Sequence, residues 1–190
     1  GVMYGKRELM ERLSAYKVRP AGDAPPDKWE TGTQSFESIA GAMGAVEYIA
    51  WLGSGEGAAP APPSPAADQA DAVRAGMCEI RAWEARLART MLDGLRSVKG
   101  VRIYGITEAA RMAERAPTFA FTREGFHPRK ICQELDRTGI CASDGNYYAV
   151  EVTTRLGLEA SGGMVRVGAV HYNTENEIEK LVDALAGMKK

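Results

Sequence analysis

The sequence predicts an α/β fold, and three observations carry that expectation. Apolar residues recur at helical spacing over residues 68–97. Strand-like and helix-like patterns alternate from residue 101 to the end, and a Gly/Ala/Pro tract, GSGEGAAPAPPSPAA at residues 53–67, sets both apart from what precedes. Strands and helices in that order suit a small α/β sandwich packed against a long helix. The expected organisation is one domain portion over residues 1–67, including the linker tract, and a second domain over residues 68–190.

Val2-Met3-Tyr4 reads as a short buried strand, and Lys6 to Leu13 as a short helix. The strand begins at residue 1 with nothing before it, so truncation of a longer domain is the simpler expectation. Residues 14–34 are rich in Pro, Gly and charge and read as a long ordered loop. Phe36, Ile39, Met43, Val46 and Ile49 then step by three and four, the mark of an amphipathic helix over residues 35–52. The Gly/Ala/Pro tract cannot continue it and is expected to be a surface linker.

The long helix over residues 68–97 carries Val73, Met77, Ile80, Leu87, Met91 and Leu95 as one stripe, and Lys99-Gly100 closes it. At ~1.5 Å per residue it spans roughly 40 Å. Val101 to Tyr104 and Thr118 to Phe121 read as strands. Pro128 sits at the first position of a helix whose buried face holds Ile131 and Leu135. Residues 139–142 read as a short strand or the turn after that helix, and residues 147–156 as a further helix ended by Gly157. Met164 to Val170 is a strand. Thr174 and Glu177 form a capping box ahead of Ile178, Leu181, Val182 and Leu185.

Composition excludes several function classes. Of 190 residues, 45% are hydrophobic and 26% charged, enough for a packed core. Lys and Arg number 24 against 25 Asp and Glu, well mixed, so no basic stripe exists to neutralise a run of phosphates and nucleic acid is not an expected partner. No apolar run approaches the ~18 residues that cross a bilayer, and no membrane association is expected. Cys78, Cys132 and Cys141 are odd in number and share no metal-like spacing, so they read as reduced thiols of a cytoplasmic protein, with Cys78 and Cys132 at buried helical positions. With only His127 and His171, a multi-histidine metal site is not expected.

Several segments in succession carry a family resemblance. They are GVMYGKRELMERL, WETGTQSFESIAGAMGAVEYIAWLG, RIYG, APTFAFT, DGNYYAVEVTTRLGL and GGMVRVGAVHYNTENEIEKLVDAL. Together they resemble the C-terminal half of the class V aminotransferases, in particular their cysteine desulfurase-like branch. The resemblance implies fold type I, with the tail of a large cofactor-binding domain, a connecting helix and a small C-terminal domain. It implies pyridoxal 5'-phosphate (PLP) as cofactor, an amino-acid substrate and a homodimer. In the family a lysine holds the cofactor just upstream of the strand that residues 1–4 resemble. Lys6 follows that strand and is not that lysine, so the chain alone is expected to be inactive.

The candidate site residues follow from both sources. An arginine inside the Met-Val-Arg-Val-Gly strand is unusual, because a buried charge costs several kcal/mol unless paired. Its fork suits a carboxylate, and the resemblance implies that Arg166 binds the substrate's carboxylate. The alternative is a structural ion pair. Gly32-Thr33 offers backbone N–H groups and a hydroxyl ahead of a helix, a phosphate-binding arrangement. The resemblance implies contact with the cofactor phosphate of a neighbouring subunit, while plain helix capping by Thr33 or Ser35 explains it equally. Asn146, in Asp144-Gly145-Asn146-Tyr147-Tyr148, is either a turn and capping residue or a substrate contact at the mouth of the active site. Cys141 follows Arg137-Thr138-Gly139, which resembles the approach to the nucleophilic cysteine of desulfurases, although the branch that matches best carries a large residue there. His171 reads as a surface or supporting residue, and His127 as the residue before Pro128. A non-catalytic α/β dimerisation or ligand-binding module, and one half of a split PLP enzyme, are the competing readings.

Overall fold

The structure is a computed structural model that describes residues 2–30, 32–54 and 66–189; most of the Gly/Ala/Pro tract lies outside the described residues. The chain divides into two compact units, Gly1–Tyr48 and Ile49–Lys190.

In the first unit, helix α1 is Arg7–Arg12. The long loop is ordered against its end. Trp29 Nε1 donates to Met10 O at 3.1 Å, and Lys28 Nζ donates to Glu11 O at 2.8 Å, supplying donors to carbonyls that a helix C-terminus leaves open. A short 3-10 helix, Asp27–Trp29, presents both side chains. The strand expected at Val2-Met3-Tyr4 is not formed. These residues are 88%, 69% and 87% exposed, and every strand of the sheet comes from residues 101–168. An extended segment becomes a strand only when a neighbour takes up its N–H and C=O groups, and among the described residues no strand pairs with these.

Helix α2, Phe36–Ser54, forms where the periodicity places it. Phe36, Ile39, Met43 and Val46 of its apolar stripe are exposed. Its last turn lies in the second unit against helix α3, Ala66–Ser97. The two backbones meet at glycines: a methyl on Gly76 would sit 1.9 Å from Ile49 O, and one on Gly53 2.0 Å from Ala72 O.

The second unit is built on one four-stranded antiparallel sheet in the order β1-β2-β4-β3, with β1 Val101–Tyr104, β2 Thr118–Arg123, β3 Ser143–Gly145 and β4 Met164–Gly168. Helices α4, Pro128–Asp136, and α6, Glu175–Gly187, join α3 on one face. Strand alternation sends Phe119, Phe121, Val165 and Val167 into that layer, where they meet Leu87, Met91 and Leu95 of α3, Ile131 and Leu135 of α4, and Leu181 and Leu185 of α6. This is the expected two-layer α/β sandwich with its long helix. Its other sheet face carries Arg102, Tyr104, Thr118, Ala120, Thr122 and Arg166, none of them buried.

The expected caps are present. Thr174 and Glu177 form both bonds of the capping box of α6, and Pro128 opens α4 with His127 Nδ1 accepting from Arg129 N at 3.3 Å. Of the two readings of residues 139–142, the turn after α4 is the one that forms, and the strand starts at Ser143. Two local expectations change. Helix α5 is Val150–Arg155, shorter than residues 147–156, because Tyr147 and Tyr148 take left-handed backbone (φ 55° and 62°) that no α-helix includes. Cys78 is exposed, one residue off the stripe that buries Ile80 and Leu87, whereas Cys132 is buried as expected.

Candidate functional site

The edge formed by β3 and β4 brings three candidates together. Arg166 lies in the middle of β4, opposite Ala120 of β2 and Ser143 of β3. The expectation of a buried arginine is corrected here: Val165 and Val167 are buried, and the period of two turns Arg166 to the open face, exposed. Its desolvation cost therefore disappears, and among the described residues no ion pair holds it. Its guanidinium carbon lies 4.5 Å from the centroid of the Tyr147 ring.

Arg166 and Ser143 border two clefts. One, of about 770 Å³, is lined also by His127, Asp144, Asn146, Tyr147 and Glu159. The other, of about 390 Å³, is lined also by Cys141, Thr118 and Gly168. Arg166, Asn146 and the exposed Cys141 thus surround one stretch of sheet edge. Gly32 and Thr33 belong to the first unit, where both are exposed ahead of α2, and Gly32 has φ 78°.

The Asn146 side chain is committed on both ends. Its Oδ1 accepts from Tyr148 N at 3.1 Å, an Asx-type turn, and its Nδ2 donates to Glu159 Oε1 at 2.9 Å. Glu159 also accepts from the hydroxyl of Thr153, which is fully buried. These two bonds, Thr153's first, hold the Glu159 carboxyl below the usual carboxylate range. Asp144 pairs with Arg129 at 3.4 Å. Burial, with a smaller contribution from the Asp144 charge, pushes the Cys132 thiol up to about 11. Burial likewise raises the Tyr147 phenol, and the Arg166 charge only partly opposes it.

Sequence reasoning named Tyr147 only as part of the Asp144–Tyr148 turn and His127 only as the residue before Pro128, and it passed over Glu159; all three line the first cleft. The Tyr-Tyr pair after Asp-Gly-Asn was a visible signal of an irregular turn. Glu159 reaches Asn146 across 13 positions, which no local pattern encodes. His171 sits beside Glu84 (Nδ1 to Oε1 4.0 Å) and edge-on to Tyr172, in the loop before α6 and outside both clefts. Among the described residues no group of three or more His, Cys, Asp or Glu could hold a metal, and no helix is long and apolar enough to cross a membrane.

The model of the family "Aminotransferase class-V" matches residues 67–181, more than half of the chain. The chain belongs to the class V aminotransferases. Members of this family are PLP-dependent, as the resemblance implied. A probable cysteine desulfurase 2 of Mycobacterium leprae is 26% identical over 193 residues, covering 96% of this chain and 39% of that protein. A cysteine desulfurase of Synechococcus elongatus is 26% identical over 196 residues, covering 97% of the chain and 26% of that protein. Among solved structures, the apo cysteine desulfurase of Thermococcus onnurineus NA1 is 25% identical with a TM-score of 0.62, over 86% of this chain and 33% of that one. The cysteine desulfurase CsdA of Escherichia coli, 19% identical with a TM-score of 0.55, shares the fold over 96% of this chain and 40% of that one. This class V chain thus spans between about a quarter and two-fifths of the length of these relatives.

Proposed function

We propose that this chain supplies the carboxylate-binding side of a PLP-dependent active site that acts on an amino acid in the cytoplasm. In this reading residues 1–67 belong to the large cofactor domain and residues 68–190 to the small domain. One observation carries it: Arg166 stands on the open sheet face between two clefts, with no carboxylate of the described residues paired to it. Its fork is therefore available for a ligand, and two parallel N–H···O bonds orient an amino acid by its carboxylate. Asn146 lines the first cleft, and the hydrogen-bonding capacity left by its bonds to Tyr148 N and Glu159 would serve a substrate contact at the site's mouth. Cys141, exposed on the second cleft, is the thiol on which a desulfurase reaction at this site would depend.

Gly32 and Thr33 fit a phosphate. Both are exposed, nothing lies within 4 Å of where a Gly32 side chain would sit, and the first turn of α2 follows at Phe36. They would hold the cofactor phosphate of a second copy in a homodimer. PLP, when bound, supplies an electron sink for charge developing at the substrate's α-carbon. No lysine lines either cleft among the described residues, which supports a cofactor lysine outside this chain and an inactive chain in isolation. Borohydride treatment with stoichiometric PLP should then fix label on none of Lys6, Lys17, Lys28, Lys99, Lys130, Lys180, Lys189 or Lys190 in preference to the others.

The deciding experiment compares calorimetric binding of L-alanine and of L-alaninamide to the chain and to R166Q. A charge-assisted pair should favour the carboxylate about tenfold or more, and R166Q should abolish the preference. An R166Q protein that still discriminates sinks the proposal. C141S, introduced into the complete enzyme that carries the cofactor lysine, tests the reaction branch: loss of sulfur release with retained amino-acid binding marks Cys141 as its nucleophile.

A further inference from the structure

We propose that Tyr147 is a positioning residue: its ring holds the Arg166 guanidinium in place and charged at the boundary of the two clefts, ready for a carboxylate. This rests on the carboxylate reading of Arg166 and deepens it.

An exposed arginine is a long, loose side chain, and ordering it on a ligand costs side-chain entropy. A protein can order it beforehand with an acidic partner or with an aromatic face. An acidic partner occupies the N–H donors and cancels the charge that a carboxylate ligand needs. An aromatic face does neither, because the cation sits over the ring while the fork's edge stays free. The cleft follows the second course. Its two acidic residues are engaged elsewhere, Asp144 with Arg129, and Glu159 with Asn146 and Thr153. The Tyr147 ring is the group beneath Arg166, at 4.5 Å from centroid to guanidinium carbon.

The ring is itself fixed at its far end. Its hydroxyl lies between Ser143 O, at 3.1 Å, and Met164 O, one carbonyl from each of β3 and β4. Burial keeps this phenol protonated beyond its ordinary range, so it remains a donor. The left-handed backbone at Tyr147 and Tyr148 accounts for the direction. It turns Tyr147 in under Arg166 and leaves Tyr148 wholly exposed, a conformation bulky residues seldom adopt. The Asn146 side chain holds that turn by accepting from Tyr148 N. Asn146 thus acts on Arg166 through Tyr147.

The test uses side-chain NMR and carboxylate binding on the full chain. In the wild type, the Arg166 Nε–Hε signal should be displaced upfield by the ring current of Tyr147. Y147F keeps the ring and Y147L removes it, while both lose the hydroxyl, so their difference isolates the stack. Y147F should retain the displaced signal and bind L-alanine within about twofold of wild type; Y147L should lose the displacement and about threefold to tenfold in L-alanine affinity, with L-alaninamide binding unchanged. Equal L-alanine affinity in Y147F and Y147L, with R166Q still abolishing the preference for carboxylate, overturns the role of Tyr147 and leaves that of Arg166 intact. If Y147L does not fold, the wild-type spectrum decides: an undisplaced Arg166 signal overturns the proposal and a displaced one, retained in Y147F, supports it.

Discussion

The site edge depends on one backbone crossing, and substituting Gly163 tests it. Gly163 is buried, with φ 79°, and bridges to Gly145. A methyl there would lie 2.2 Å from Gly145 O and 2.4 Å from its carbonyl carbon. A carbon–oxygen contact normally needs about 3.3 Å, so backbone must retreat by roughly 1 Å. The part that would move is β3, three residues long and paired only to β4. Gly157 is the control, with φ 71° and nothing within 4 Å of an added methyl. Left-handed backbone costs an alanine about 1–2 kcal/mol at either position. Overpacking adds about 1–3 kcal/mol at Gly163 alone. G163A should therefore lose about 2–5 kcal/mol in urea unfolding and G157A only about 1–2. Because Ser143 lies opposite Arg166, G163A should also weaken L-alanine binding where G157A does not. Equal losses in the two variants, within about 0.5 kcal/mol, would refute the crossing as the constraint.

Further outcomes follow from the same geometry. An alkylating reagent at neutral pH should modify Cys78 and Cys141 well before Cys132, which is 8% exposed and whose thiol burial raises to about 11; mass spectrometry showing equal rates would contradict this. Because that pKa is raised from 9.0, the neutral Cys132 thiol stabilises the fold fully below pH 9 and loses this contribution as pH climbs through about 11. The backbone N–H of Thr174 and then its hydroxyl hold the Glu177 carboxyl below its usual 4.5, so the stability it contributes is present above that pH and lost as pH falls through the lower folded value. E177Q should flatten that acid limb in thermal melts, and T174A should cost about 1 kcal/mol at neutral pH. F121A, removing a fully buried ring between β1 and β4, should cost about 3–5 kcal/mol by urea unfolding.

Local chemistry made most of the sandwich legible. The stripe from Leu87 to Leu95, Pro128 after His127, and the Thr174–Glu177 box each act within a turn or two of chain, and each formed where expected. Failures came where the outcome depends on distant partners. Val2-Met3-Tyr4 has strand composition, but pairing needs a neighbour. The helix stripe at Phe36, Ile39, Met43 and Val46 shows its period and cannot show what covers it. Tyr147 meets Arg166 across 19 positions of sequence, through a turn whose handedness composition does not reveal.

Arg166 shows why the residue was found for an incomplete reason. A charge within an apolar strand attracted notice because burial would be costly. The structure removes that cost by alternation: the pleat that buries Val165 and Val167 sends the residue between them to the opposite face. On a half-buried sheet an arginine between two valines is energetically ordinary, and its position alone marks nothing. What distinguishes it is its surroundings. Both acidic groups of the adjoining cleft have partners, while the guanidinium rests on an aromatic face anchored to two strands. An arginine meant only to solubilise the sheet needs no such support, and one meant to close an ion pair would have taken Asp144 or Glu159. The unspent charge, held in place by Tyr147, is the physical ground for reading this sheet edge as a carboxylate site.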